Sequence, residues 1–148
     1  MKGYMYKMIP RFSDFDGYGI VHHSQFLKFV EEARIQMLRD VFSQELDEVL
    51  GPEVQSLVMD VYVKYIRTID KTKQIYVNLV LKLVGNAYLQ FDFKILSGKN
   101  DIYANGYTRH CFTRIDHGML LSYPEPFNSR VKKIIENKEF DYLIEEGL

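Results

Sequence analysis

The chain has 148 residues, 47% of them hydrophobic and 14% aromatic, enough for the core of one domain and too much for a disordered segment. Nineteen Lys and Arg against twenty Asp and Glu leave a net charge of −1, which excludes a broad cationic footprint for nucleic acid. A lone cysteine, Cys111, excludes an internal disulfide and a Cys-based metal cluster; the first residues lack a signal-peptide core, no apolar stretch approaches the ~20 residues of a membrane span, and a reducing cytoplasm is the expected location.

Residues 4–12 alternate weakly and read as a short strand, with Pro10 pointing to an edge or a bulge. Residues 13–19, Ser-Asp-Phe-Asp-Gly-Tyr-Gly, favour tight or left-handed backbone and predict a loop. Ser24 is placed to cap a helix in which Phe26, Phe29, Val30, Ala33, Met37 and Val41 form an apolar stripe opposite Lys28, Glu31, Glu32 and Arg39. After a loop at Gly51 and Pro52 the period becomes two, with Leu57, Met59, Val61, Val63 and Tyr65 on one strand face and Asp60, Tyr62 and Lys64 on the other. Ile75 to Leu83 and Leu89 to Ile95 repeat the pattern beyond turns at residues 70–73 and 85–86, and hairpins are expected to join these three strands. A fourth strand, residues 102–115, has mixed polarity on both faces; a helix over 128–137 follows, and the tail after Lys138 is expected to be loosely ordered.

One long helix, one short strand and four long strands make an α+β domain with an antiparallel sheet over residues 1–148. Ten-residue strands span about 35 Å and the helix about 25 Å, so a twisted sheet can curl around it.

The densest group of reactive side chains, residues 14–24, sits between a strand and the start of the best helix, where unpaired N–H groups and the helix dipole favour developing negative charge. A carboxylate there can act as base or nucleophile, or Asp14 and Asp16 can simply shape the turn. His22 and His23 are neighbours whose side chains should point apart, with no further ligands spaced for them, so no metal is expected. Cys111 reads as a small core residue, and Glu31, Glu32 and Arg34 with Lys28 as a solvated, paired helix face. Lys64, Arg67, Lys71 and Lys73 are candidates for binding phosphate groups, or are solvated cations beside a turn.

Asp14, Asp16, Gly19, Val21, His23, Phe26, Leu27, Glu31, Ala33 and Arg34 fall in one register, and in this the chain resembles the 4-hydroxybenzoyl-CoA thioesterase type of the hotdog-fold superfamily, including the acyl-CoA thioesterases encoded beside the bacterial Tol-Pal system. Phe26 stands where that family often has Tyr, and residues 71–73 replace its usual Gly-Asp turn. The resemblance implies a hotdog fold, a long helix wrapped by a curved antiparallel sheet, and hydrolysis of an acyl-CoA thioester without cofactor or metal. It implies Asp16 as catalytic carboxylate, either attacking the carbonyl or activating water. It also gives the His23 N–H as oxyanion donor, with the imidazole available to donate a hydrogen bond or tune the acid, Gly19 and Val21 at the substrate, and active sites at the interface of a homodimer or homotetramer. The alternatives it leaves are a thioesterase for acyl carrier protein and a noncatalytic acyl-thioester-binding protein.

Overall fold

The computed structural model describes residues 2–70 and 74–146. Pro10 has no N–H to give to a sheet, and the first strand, β1 (Tyr4–Met8), stops before it instead of running to residue 12; a 3-10 turn at Phe12–Asp14 follows. The main helix, α1 (Gln25–Phe42), buries the whole expected stripe and ends at Ser43, whose left-handed φ of 56° is accompanied by an N–H bond to the Arg39 carbonyl. Ser24 precedes α1 but does not cap it with its side chain, because its backbone is already helical and its hydroxyl is bonded to His22. A short helix, α2 (Leu46–Leu50), burying Val49 and Leu50, occupies part of what reads as loop.

The remaining elements are β2 (Val54–Tyr65), β3 (Ile75–Val84), β4 (Tyr88–Ser97), β5 (Ile102–Arg114), β6 (Gly118–Met119), α3 (Phe127–Glu136) and β7 (Leu143–Glu146). The sheet order is β1-β3-β4-β5-β2. Antiparallel hairpins join β3 to β4 and β4 to β5, but β2 does not pair with β3 as expected; it pairs with β5 at the opposite edge. The physical reason is in the connection. The N–H groups of Ile66 and Arg67 bond to the Tyr103 carbonyl (2.8 and 3.0 Å) and Ile69 is fully buried, so the chain is drawn across the ends of β5 and β4 rather than turning back on itself.

The register pairs Leu81, Phe91, Thr108 and Val61 in one row across β3, β4, β5 and β2, and Val77, Ile95, Ala104 and Tyr65 in another. These rows lie on the concave face, where α1 packs against β1, β3 and β4. The alternation expected for β2 is broken at Met59, an extra residue between the Val58–His110 and Asp60–Arg109 pairs. Leu57 therefore shares the convex face with Asp60, Tyr62 and Lys64, while Val61, Val63 and Tyr65 face inward with Val58. The Arg109 guanidinium clamps both oxygens of Asp60 beside the bulge, which holds that carboxyl below its usual range. β2 runs past the cover of α1: Val58, Val61 and Tyr65 inside and Leu57, Met59 and Tyr62 outside are all exposed.

Gly106 of β5 faces Val63 of β2, and a Cβ there would run into the Tyr62 carbonyl oxygen, so glycine lets the two backbones close up. The tail is also more ordered than expected: β7 runs parallel to β3 at Leu81–Val84, continuing the edge that β1 covers at Ile75–Leu79, and buries Leu143. The Leu81 N–H donates to the Tyr142 carbonyl (2.8 Å), and Lys132 pairs with Glu145, so the charged tail is held by ladder bonds and one apolar anchor. No helix among the described residues is long and apolar enough to cross a membrane.

Candidate active site

The segment between β1 and α1 is organised by its two aspartates in different ways. Asp14 is buried; its Oδ2 accepts the Arg11 N–H (2.6 Å) and its carbonyl accepts the His22 N–H (2.9 Å), so it builds the turn. Asp16 is half-exposed, and its Oδ1 accepts the Tyr18 N–H at 2.8 Å and, more weakly, the Ile20 N–H at 3.4 Å. Among the described residues no donor reaches its Oδ2. Gly19 closes this loop with φ +79°, a conformation that disfavours any side chain, and the space beside it is open.

Val21 is buried and bonds through its N–H to the Ile69 carbonyl (2.9 Å), tying the loop to the segment that leaves β2. His22 and His23 do not point apart: their rings stack with centroids 4.4 Å apart. His22 precedes the helix, and its Nδ1 turns back to the Ser24 hydroxyl (2.7 Å) and N–H (3.2 Å), which brings its ring alongside His23. Gln25 and Phe26 donate to the carbonyls of His22 and His23, so α1 opens with tight three-residue bonds. The His23 N–H, just ahead of them, has no acceptor among the described residues.

Asp16, Val21, His23, Phe26, Tyr65 and Arg67 line one cavity of about 390 Å³. Tyr65 is a site residue that sequence reasoning missed. Its hydroxyl donates to the His23 carbonyl (3.2 Å) and its ring meets Phe26 edge-on at 5.2 Å. The alternation placed it on the same face as Val61 and Val63, but nothing local put the end of β2 against the start of α1.

Residues 10–135 match the Thioesterase-like superfamily. The chain belongs to that superfamily, and it is a thioester hydrolase. A curated protein of Aquifex aeolicus (strain VF5), named as a candidate esterase, is 29% identical over 126 residues, covering 82% of this chain and 92% of its own. The 1,4-dihydroxy-2-naphthoyl-CoA thioesterase of Synechocystis has a similar structure, with a TM-score of 0.78 at 17% identity over 88% of this chain and 96% of its own. The DHNA-CoA thioesterase of Staphylococcus aureus also gives 0.78, at 16% identity over 95% of this chain and 97% of its own. The curved antiparallel sheet around α1 is thus the hotdog fold of these thioesterases.

Of the four cations that are candidates for binding phosphate groups, the structure brings Arg67 to the cavity, with an ion pair to Asp101 at 3.7 Å. Lys64 is not brought there: it lies opposite Asn105 on the convex face, because side chains alternate along β2 and Tyr65 takes the inner position. Lys71 and Lys73 lie outside the described residues. The α1 face read as solvated is only partly so. Arg34 pairs with Glu31 at 2.6 Å, but its side chain is 13% exposed and its guanidinium lies over Phe91. Beside it His110, buried in β5, bonds to the Thr108 hydroxyl (3.0 Å); burial first, and the Arg34 charge second, push its pKa down to about 4.

Proposed function

We propose that the enzyme hydrolyses an acyl-CoA to a free acid and coenzyme A at the cavity between the β1–α1 loop and the end of β2. The observation that carries this reading is that Asp16 and His23 line one cavity: among the described residues Asp16 has one oxygen anchored by loop N–H groups and the other without a donor, and the His23 N–H, at the start of α1, has no acceptor. The thioester carbonyl oxygen accepts the His23 N–H, and the helix dipole favours the negative charge that develops as the carbonyl carbon becomes tetrahedral. With Asp16 as base, water loses a proton to the carboxylate as its oxygen bonds to carbon. Collapse then breaks the C–S bond, and the thiolate recovers a proton as the acid leaves. With Asp16 as nucleophile, its oxygen bonds to the carbonyl carbon, the thiolate departs, and water hydrolyses the resulting anhydride. Val21 and His23 border this cavity, Gly19 lines a second hollow that shares only Asp16 with it, and Arg67 is available to a coenzyme A phosphate.

The active species is proposed to be a homodimer or a pair of dimers, joined along β2. Among the described residues that strand pairs along one edge only, and it has uncovered apolar residues on both faces, which supports pairing with a second copy.

The test is Asp16→Asn, which keeps the size of the side chain and removes its charge. Against a panel of short, long, branched and aromatic acyl-CoAs, the variant should bind a nonhydrolysable analogue as the wild type does and lose at least about a hundredfold in kcat. A variant within a few-fold of wild type would falsify the assignment. Intact binding by a wild type that turns over no thioester would favour a noncatalytic role.

A further inference from the structure

We propose that Tyr65 is a positioning residue for the oxyanion donor, an assignment that rests on the thioesterase reading above. The His23 N–H can stabilise a developing oxyanion only if it keeps its direction while charge builds, and it belongs to the last residues before α1, where no regular helical ladder yet fixes the backbone. The interactions that reach this point come from the first turn of α1 and from outside the helix. The Tyr65 hydroxyl donates to the His23 carbonyl at 3.2 Å, and the same carbonyl also receives the Phe26 N–H at 3.3 Å. The Tyr65 ring stands edge-on to both His23 (6.0 Å) and Phe26 (5.2 Å), so ring and hydroxyl grip the same residue from two directions.

Tyr65 is itself placed by long-range structure. It is the last residue of β2, it pairs with Ala104 on the concave face, and the two N–H groups that follow it are fixed to Tyr103. The donor at the start of α1 is therefore held by the far edge strand of the sheet. Tyr65 does not touch the reacting atoms in this assignment; it acts through His23.

Tyr65→Phe removes the hydroxyl and keeps the ring, so it separates the hydrogen bond from packing. On an acyl-CoA that the wild type hydrolyses, kcat should fall about three- to tenfold while KM changes less than about twofold, as for an interaction whose value is realised in the transition state. Amide hydrogen exchange of the free enzyme, followed over residues 22–26, should quicken in the variant with the rest of α1 unchanged, a readout independent of turnover. Tyr65→Leu, which loses the ring as well, should show the larger effect on both. An active wild type whose Tyr65→Phe variant keeps both kcat and exchange unchanged overturns the positioning role alone. A fall confined to KM also overturns it, since that would make Tyr65 a substrate contact. A wild type inert towards every thioester overturns the hydrolase reading, and the catalytic role of Tyr65 with it.

Discussion

The buried imidazole of His110 makes acid stability a quantitative test of how the concave face is packed. His110 is 1% exposed, and the groups around it are Thr108 on its own strand, Phe91 edge-on from β4, Val58 opposite on β2, and Arg34 and Glu31 from α1. Burial and the Arg34 charge outweigh the attraction of Glu31 and push its pKa from 6.5 down to about 4. As pH falls below the unfolded value the unfolded chain takes up a proton that the native state refuses, so stability is lost between about pH 6.5 and 4. The slope is about 1.4 kcal/mol per pH unit and the total is about 3 kcal/mol once native His110 titrates. For a chain of this size that corresponds to a fall in Tm of about 5–10 °C by pH ~4.5. His110→Gln can still hydrogen-bond the Thr108 hydroxyl and does not titrate. Thermal unfolding followed by circular dichroism from about pH 7.5 to 4.5 should show the variant gaining on the wild type by this amount, the carboxylates common to both cancelling. A Tm difference that stays flat over the range would refute the packing and charge argument for His110.

Arg67→Glu should raise KM for acyl-CoA substrates several-fold with kcat within about twofold; unchanged KM together with lost turnover of acyl carrier protein substrates would shift the carrier to that protein. Light scattering at micromolar concentration should give the mass of a dimer or of two dimers, and a fully active monomer would contradict pairing along β2. Gly106→Ala should lower stability by about 1–3 kcal/mol, because the added methyl meets the Tyr62 carbonyl and must push β2 from β5; an unchanged melting curve would show that the backbones do not need that approach.

What local pattern dictates was legible in the residues. The α1 stripe and the alternation of β3 and β4 follow from periods of 3.6 and two, which need no knowledge of partners, and the last helix follows Pro124 and Pro126. The spacing from Asp16 to His23 likewise marked a loop before a helix, and both residues do line one cavity. Pairing of β2 with β5 was not legible, because the choice of partner depends on where the chain crosses the sheet ends, and Ile69 reveals its burial only in three dimensions. Lys64 and Arg67 looked equivalent as cations beside a turn; one lies on the convex face and the other at the cavity. β7 was missed because the tail after Lys138 carries little apolar pattern, and in the strand itself only Leu143 has a core to enter. His110 was hidden in a strand of mixed polarity, where no spacing rule separates a buried histidine from an exposed one.

The extra residue at Met59 puts the two ends of β2 in opposite phase. Substitutions along the strand change which atoms meet the core but leave the phase alone, and loss of Met59 would only straighten the strand, because Val58 and Asp60 already pair with the consecutive residues His110 and Arg109; deletion of Tyr62 or Val63 would instead turn Tyr65 to the outer surface and bring Lys64 onto the concave face. A single codon lost between the bulge and the end of the strand would exchange the aromatic wall of the cavity for a charged one while leaving the loop that carries Asp16 untouched. The length of this strand, counted from bulge to end, is thus a separate heritable setting of the site, independent of the residues on the β1–α1 loop.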